Sequence, residues 1–293
     1  MSENLSGKEL YYWYRQTIKA AIANNISPDE VDWLIQTVTD LDRLSLRLGT
    51  FKDRQIFSSK SLSELARLWQ QRLQERLPVQ YLVETVFWRR FKLKVTPAVL
   101  VPRPETELIV DLAQENNLIF SGDCNWVDLG TGSGAIAFGL ADVFPQATIH
   151  AVDLSPDALE IARENALNLN LEPRINFYQG SWWSPLKFLE GKVAGVVSNP
   201  PYIPTAQINH LDPEVVNHEP HLALDGGDDG LRDIRYLVET SPQYLTSGGI
   251  LLMEIMAGQA QEVIKLLQRS DYYGVKSCQD LNGIERFVIA YRR

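Results

Sequence analysis

The sequence predicts an α/β protein whose main domain holds a doubly wound, mostly parallel sheet, preceded by a smaller helical domain. Strand-like and helix-like segments alternate after residue 123, which is the pattern of a parallel sheet covered by helices. Apolar residues recur at helical spacing before residue 78, and the period becomes that of strands between residues 79 and 101. We therefore expect a helical domain over residues 1–77, a β-hairpin linker over 78–101 and the α/β domain over 102–293.

The helical domain is predicted from apolar spacing and from helix-start signals. Apolar residues between positions 7 and 24 fall on one face of a helix. A second helix is expected to begin at Ser27-Pro28, where a capping residue precedes a proline at the first helical position. Ser61 and Glu64 have the spacing of a capping box, and Pro78 ends the helix that they start. These segments indicate a small helical bundle.

The α/β domain is predicted from short apolar runs that alternate with longer amphipathic segments. Strands are expected at residues 126–129, 148–152, 175–178, 193–198, 249–254, 272–276 and 286–290. Helices are expected at residues 105–116, 135–143, 156–169, 231–244 and 259–268. In such a sheet the ligand site lies at the carboxyl ends of the strands.

Composition and charge exclude several classes of protein. The chain has 293 residues, 45% of them hydrophobic, which is enough for a packed core and argues against general disorder. Its longest apolar runs fall short of the roughly 18 residues that cross a bilayer, and Met1–Asn4 lacks the character of a signal peptide, so a cytoplasmic location is expected. The two cysteines and four histidines lack ligand spacing, so no metal is expected.

The charge is unevenly distributed along the chain. The net charge of −9 argues against a surface that grips nucleic acid throughout. Residues 1–95 nevertheless carry 15 Lys and Arg against 11 Asp and Glu. Two interpretations stay open: chance distribution of solvated charge, or a basic face that docks an acidic partner.

A glycine-rich turn is the first candidate for ligand binding. The segment Asp128–Gly134 (Asp-Leu-Gly-Thr-Gly-Ser-Gly) follows a predicted strand and opens a helix, where glycines allow a ligand to approach free backbone N–H groups. Asp153 ends the next strand, where a carboxylate can accept hydrogen bonds from ribose hydroxyls. The candidate contacts to an adenosine-containing cofactor are Gly130, Thr131, Gly132, Ser133, Gly134 and Asp153. A nicotinamide cofactor stays possible at this point, because the turn also fits a dinucleotide fingerprint.

The segment Ser198–Tyr202 (Ser-Asn-Pro-Pro-Tyr) follows another predicted strand and resembles the Asn/Asp-Pro-Pro-Tyr motif of methyltransferases that act on amide or exocyclic nitrogens. With it, the expected cofactor becomes S-adenosylmethionine. The Asn199 side-chain oxygen and the Pro200 carbonyl can accept both N–H hydrogens of a carboxamide, whose lone pair then points at the methyl group. Tyr202 can stack on the planar amide. The candidate catalytic residues are Asn199, Pro200, Pro201 and Tyr202.

Two further segments have a functional and a structural interpretation. Trp182 follows a predicted strand, where its indole can cover an adenine ring or simply pack in the core. The acidic segment at residues 225–230 lacks the final glutamate of an EF-hand, so we interpret it as a solvated loop that caps the next helix.

Over essentially its whole length the sequence resembles the peptide chain release factor glutamine methyltransferase family, also called PrmC or HemK. The stretches that carry this resemblance are residues 78–82, 100–107, 128–134, 198–203, 219–220, 223–231 and 280–286. The chain departs from the family pattern at Val83-Glu84, where a glycine is usual after Leu82, and at Ser181 and Met256.

The resemblance implies a substrate-docking helical domain and a Rossmann-like class I methyltransferase domain with a seven-stranded sheet. It implies methyl transfer from S-adenosylmethionine to the glutamine of the Gly-Gly-Gln motif in release factors, with no membrane and no direct nucleic-acid partner. It further implies that Trp182 and Asn199 contact the cofactor together with the glycine-rich turn and Asp153, and that Asn199–Tyr202 hold the glutamine. The alternatives are a ribosomal-protein glutamine methyltransferase, a nucleic-acid amino-group methyltransferase and a non-catalytic scaffold that binds a partner.

Overall fold

The computed structural model describes residues 3–117 and 122–293. Met1 and Ser2, which belong to the segment used above to predict the location, are outside the described residues. The chain forms two compact units, one of Met1–Thr85 with Pro213–His218 and the other of Val86–Asp212 with Glu219–Arg293. The division along the sequence falls inside the stretch predicted as a linker. The hairpin is present at Val86–Trp88 and Phe91–Leu93, but the strand pattern predicted from residue 79 is wrong at Val79–Leu82, which form a short helix.

The first unit is mainly helical, as predicted, and it also contains two strands that the sequence did not indicate. Its elements are β1 (Glu3–Ser6), α1 (Gly7–Ala23), α2 (Asp29–Val38), α3 (Arg43–Leu48), β2 (Gln55–Ser58), α4 (Leu62–Glu75), α5 (Val79–Leu82) and the separate helix Pro213–His218. The capping box at the start of α4 is confirmed, because Ser61 and Glu64 exchange both hydrogen bonds. Strands β1 and β2 pair antiparallel, and Leu5 and Ile56 place their side chains in the unit's core.

A buried cation joins helix Pro213–His218 to the rest of the first unit. Arg72 on α4 is 3% exposed and donates from Nε to Glu30 on α2 over 2.6 Å. Its Nη2 atom lies 2.6 Å from Oε1 of Glu214, which also pairs with Arg76 over 2.7 Å. A buried guanidinium requires such partners because burial without them is costly.

Glu84 provides a stability test for one of the departures from the family pattern. Its φ of 49° is left-handed, a conformation that costs most L-residues about 1 kcal/mol and glycine almost nothing. We expect Glu84→Gly to raise the free energy of unfolding by up to about 1 kcal/mol, less the entropy that glycine adds to the unfolded chain. The matched control is Val83→Gly, since Val83 has a φ of −114° and no such strain to relieve. Denaturant unfolding that shows Glu84→Gly no better than Val83→Gly contradicts this explanation.

The second unit holds the predicted doubly wound sheet. Its strands are β3 (Val86–Trp88), β4 (Phe91–Leu93), β5 (Asn125–Leu129), β6 (Thr148–Asp153), β7 (Ile175–Gln179), β8 (Val193–Ser198), β9 (Leu245–Glu254), β10 (Tyr272–Gln279) and β11 (Glu285–Arg292). Its longer helices are α6 (Leu108–Asn116), α7 (Ala135–Val143), α8 (Pro156–Leu169), α9 (Arg232–Tyr244) and α10 (Ala260–Gln268). Residues 105–107 were predicted as the start of a helix, but together with Pro104 they form a 3-10 turn before α6.

The strand order creates a ligand crevice at one place in the sheet. Within the described residues, seven strands lie in the order β10-β11-β9-β8-β5-β6-β7, and the pairs from β9 through β7 are parallel. The chain runs outward from β5 through β6 to β7 and then returns to β8 on the other side of β5. Ligands bind where the direction of winding reverses, at the carboxyl ends of such strands. The crevice is therefore expected beside the ends of β5 and β8.

The hairpin of β3 and β4 accounts for the basic excess of the first 95 residues. Met1–Thr85 contains eleven basic and eleven acidic residues, so that segment carries no basic excess. Arg89 pairs with Asp111 on α6 over 2.8 Å, and Lys94 pairs with Glu164 on α8 over 2.8 Å. Arg90 likewise pairs with Asp142 on α7. Three of the four basic residues that make up the excess thus lie in ion pairs within the second unit, and the charge of residues 1–85 gives no support for a basic docking face on the helical domain.

Candidate active site

The glycine-rich turn connects β5 to α7 and faces open space. The backbone N–H groups of Gly130 and Thr131 both donate to the Val152 carbonyl over 2.9 Å, which ties the turn to β6. Gly132 has a φ of +53°, and a Cβ atom added there would meet nothing within 4 Å. A ligand can therefore approach the backbone at Gly132. The N–H groups of Gly130, Thr131 and Gly132 are not free, however, which differs from the expectation, because each already has an acceptor within the protein.

Asp153 lies at the end of β6 and faces the same turn. Its Oδ2 atom accepts from the Gly132 N–H over 2.8 Å, and its Oδ1 atom accepts from the Ser155 N–H over 2.9 Å. Burial raises the pKa of the Asp153 carboxyl, while these N–H groups oppose the rise. Each carboxylate oxygen keeps a lone pair that can accept from a hydroxyl group.

Trp182 lies next to the turn in an unusual backbone conformation. Its φ is +50°, a left-handed value that is a strained exception for an aromatic residue. A Cβ atom added to Gly130 would lie 3.6 Å from Cζ3 of Trp182 and 4.0 Å from the Asn199 carbonyl oxygen. Its neighbour Trp183 is buried and stacks on Tyr244, with the ring centres 4.1 Å apart. Trp183 is therefore a core residue, whereas Trp182 is only partly buried.

A cavity of about 350 Å³ brings most of the predicted site residues together. Among the predicted residues, its lining includes Gly130, Thr131, Gly132, Ser133, Asp153, Trp182, Asn199 and Pro201. Gly134, Pro200 and Tyr202 do not line it. Gly134 instead caps α7, and Pro200 is buried.

Tyr202 is partly buried and is held from both ends. Its phenol donates to Oε1 of Glu254 over 3.0 Å. Its main-chain oxygen accepts from the Gln259 side chain over 3.0 Å. The ring packs against the core of the second unit. Burial, followed by the neighbouring Glu254 charge, raises the pKa of the phenol, so Tyr202 stays protonated.

Four polar residues that support the site were not predicted from the sequence. Arg103, which lines the cavity, donates from Nη2 to both oxygens of the buried Glu219 over 2.8 and 2.7 Å. Thr106 donates its hydroxyl to Oε2 of Glu254 over 2.6 Å. Arg103, Thr106 and Glu219 belong to stretches that carry the family resemblance, which was the available signal. The available signal for Glu254 was the Glu254-Ile255 pair, which matches the family pattern just before the departure at Met256.

The acidic segment at residues 225–230 is a support for the Asn199–Tyr202 loop. The Ile203 N–H donates to the Leu224 carbonyl over 3.0 Å, and the Gly226 N–H donates back to the Ile203 carbonyl over 2.9 Å. Gln259 bridges the two loops, because it donates to the carbonyls of both Tyr202 and Gly230. The interpretation as a solvated loop is right for the exposed residues 228–229 and wrong for the buried glycines at 226, 227 and 230.

Asp128, at the start of the glycine-rich motif, is completely buried. Its Oδ2 atom accepts from the Thr131 hydroxyl over 2.6 Å and from the Ala137 N–H over 3.1 Å. Its Oδ1 atom has no partner among the described residues. Burial therefore raises the pKa of this carboxyl to about 7, against the two hydrogen bonds, which lower it.

This shift predicts a pH effect on stability that Asp128→Asn removes. Between the unfolded pKa of about 3.9 and the folded pKa of about 7, the folded protein binds more protons, so stability falls as pH rises. His150 acts oppositely, because burial lowers its folded pKa to about 4, and this contribution is common to both proteins. We expect the unfolding free energy of the wild type to fall relative to Asp128→Asn by up to about 1.4 kcal/mol per pH unit between about pH 5 and pH 7. The measurement is denaturant unfolding at several pH values. If the difference in unfolding free energy between the wild type and Asp128→Asn does not change with pH, Asp128 is not the group that binds the proton.

Metal and membrane features are not found in the part of the chain that the structure describes. Within residues 3–117 and 122–293, no group of three or more His, Cys, Asp or Glu side chains is arranged to hold a metal ion. Among the same residues, no helix is both long and apolar enough to cross a bilayer.

Comparison with known proteins identifies the class first. Residues 120–280 match the model of a family described as "Methyltransferase domain". A methyltransferase structure from Pyrococcus furiosus is 17% identical, with a TM-score of 0.51 over 78% of this chain and 98% of that one. This likeness concerns the fold alone. The second unit is thus a class I methyltransferase fold.

Relatives at higher identity give the particular family. A release factor glutamine methyltransferase of Synechocystis sp. is 52% identical over 98% of this chain and 97% of its own length. The protein of the same name from Thermosynechococcus vestitus is 44% identical over 98% of this chain and 99% of its own length. The chain belongs to the release factor glutamine methyltransferase family.

Proposed function

We propose that the protein transfers a methyl group from S-adenosylmethionine to the side-chain nitrogen of the glutamine in the Gly-Gly-Gln motif of release factors. The observation that carries this proposal is that one cavity is lined both by the adenosine-type contacts and by Asn199 and Pro201. The methyl donor and the amide acceptor would then lie in the same cavity, so that the methyl group could pass directly from one to the other. The site of action would be the cytoplasm, where translation termination takes place.

The residues around the cavity fit the proposed cofactor. The carboxylate of Asp153 suits the ribose hydroxyls, and the partly exposed indole of Trp182 suits the adenine ring. The open backbone at Gly132 leaves room for a ligand that a side chain at this position would obstruct. The cofactor supplies an electrophilic methyl group on a sulfonium; the chain's own residues orient the acceptor and exclude water.

The acceptor chemistry requires two hydrogen-bond acceptors and no strong base. An amide nitrogen is a poor nucleophile because its lone pair is delocalised into the carbonyl. Asn199, which lines the cavity, would accept one of the two N–H hydrogens with its side-chain oxygen. Pro200 and Tyr202 do not line the cavity but follow Asn199 in the same loop. The Pro200 carbonyl would accept the second N–H hydrogen, which frees the lone pair, and Tyr202 would contact the planar group. After methylation the nitrogen is cationic and strongly acidic, so water suffices to remove its proton.

The experiment incubates the protein with labelled S-adenosylmethionine and bacterial-type release factors, with and without their Gly-Gly-Gln glutamine changed to alanine. We expect label only on the unchanged release factors, and mass spectrometry should place it on that glutamine. A ribosomal protein and a nucleic acid serve as alternative acceptors in parallel reactions. Label that persists on the alanine versions, or that appears only on an alternative acceptor, overturns the proposal.

A further inference from the structure

Glu254 is a buried carboxylate at the last position of β9, next to the strand that ends at the Asn199–Tyr202 loop. Its side chain is fully buried. The structure records no ion pair for it among the described residues. Both of its oxygens instead accept from hydroxyl groups, Oε1 from Tyr202 over 3.0 Å and Oε2 from Thr106 over 2.6 Å. Burying a carboxylate costs free energy of folding. If Glu254 had only a structural role, an apolar side chain of similar size would fill the same position with less loss of stability.

Tyr202 is held at two points, the phenol by its hydrogen bond to Glu254 and the main chain by a separate hydrogen bond. Gln259, itself 7% exposed, donates to the Tyr202 carbonyl over 3.0 Å. The phenol is held by Glu254, and the ring between these points packs against buried apolar residues. The ring plane is therefore set before any ligand enters. Small errors in the orientation of a positioning group strongly lower the rate of group transfer.

We propose that Glu254 is a positioning residue for methyl transfer: it holds the Tyr202 ring in place through the phenol, and Thr106 in turn orients the carboxylate. This inference rests on the proposed function, because it assigns the Tyr202 ring a role against the acceptor amide. It also gives Thr106, part of the Pro-Arg-Pro-Glu-Thr-Glu stretch, a role at the reaction centre through two hydrogen bonds in series.

The ionised form of Glu254 is the one that accepts from both hydroxyl groups. The charged groups that face this pair are Arg286 on β11, Glu105 on the turn before α6, and Arg103, which acts on Tyr202. Arg286 is itself held by Asp280 over 2.9 Å. Burial raises the pKa of Glu254 to about 6, against the bonds from Thr106 and Tyr202 and the charge of Arg286. Lowering the pH through about 6 protonates the carboxylate, so that one of its oxygens becomes a donor and the two hydroxyl groups lose their charged acceptor.

The experiment is a double-mutant cycle on release factor methylation with Glu254→Gln and Tyr202→Phe. At neutral pH we expect each single variant to lower kcat about tenfold, and the double variant to lose no more than Tyr202→Phe alone. The dissociation constant of S-adenosylmethionine, measured by calorimetry, should change less than about twofold, since Glu254 lies outside the cavity lining. The wild-type kcat should fall below about pH 6, and this fall should be absent in Glu254→Gln.

Two further variants keep the test decisive. Glu262→Gln removes an exposed carboxylate on α10 that pairs with Lys265, and it should leave kcat unchanged. If Glu254→Gln does not fold, Thr106→Val removes the bond to Oε2 alone, and its loss of kcat should vanish in the Tyr202→Phe background.

The possible failures are distinguishable. Losses that add fully in the double variants, or an acid limb that survives in Glu254→Gln, overturn the positioning role while the proposed function stands. A wild-type protein that methylates no release factor glutamine overturns both.

Discussion

Asn199→Ala is expected to lower the turnover of release factor methylation several hundredfold while S-adenosylmethionine still binds. The side chain lies at the end of β8 and lines the cavity, so its loss removes one of the two acceptors proposed for the amide hydrogens. Removing one preorganised hydrogen-bond group from a reaction centre costs about a hundredfold to a thousandfold in kcat. The main-chain oxygen of Asn199, which lies close to Gly130, is retained in the variant.

Two comparisons test the reason for this loss. Asn199→Asp keeps an oxygen in the same place and should recover part of the lost turnover. Asn168→Ala changes an exposed residue on α8 and should leave turnover unaltered. Single-turnover kinetics at saturating donor separates the chemical step from binding. An Asn199→Ala protein with normal turnover would exclude the side chain from the reaction.

Asp153→Asn is expected to weaken the binding of S-adenosylmethionine about tenfold to a hundredfold. Both oxygens of the Asp153 carboxylate accept from backbone N–H groups, those of Gly132 and Ser155. In the variant, one of these N–H groups faces an NH₂ group, and the site also loses an acceptor for a ribose hydroxyl. Losing a charge-assisted hydrogen bond costs about 1.5 to 3 kcal/mol, which gives the expected range.

The measurement is titration calorimetry with the donor alone. Asp157→Asn, an exposed substitution of the same kind on α8, is the matched control and should bind normally. At saturating donor, the turnover of Asp153→Asn should recover most of the wild-type value, because the acceptor groups are untouched. An unchanged dissociation constant for Asp153→Asn would exclude the carboxylate from the cofactor site.

The regular elements of the second unit could be predicted closely because their periodicity and end signals agree. The predicted helices at residues 135–143 and 156–169 and the strand at 193–198 have the observed bounds. The pair of β1 and β2 was missed, because each strand has only 4 residues and its pairing is non-local. Helix α3 was missed for the related reason that 6 residues give too short a periodic pattern.

The candidate site was predictable where a residue follows a strand within a glycine-rich or proline-rich motif. That rule is enough to single out Gly130 and Asn199, and Asp153 could be predicted because it ends the strand that follows the glycine-rich turn. All three residues line one cavity in the structure. The supporting residues were out of reach, since Thr106 and Glu254 are 148 positions apart and become partners only through the fold. The same limit applies to Tyr202, whose phenol direction depends on a strand that lies 52 positions later.

The inclusion of helix Pro213–His218 in the helical unit has a practical consequence for dissecting the protein. An expression fragment that stops at Thr85 would lack Glu214, so the nearly inaccessible guanidinium of Arg72 would keep Glu30 and lose its second carboxylate. Such a fragment would be a poor substitute for the helical unit in partner-binding assays. Internal deletions or peptide tags should likewise avoid residues 213–218, although they lie far along the sequence from the rest of that unit.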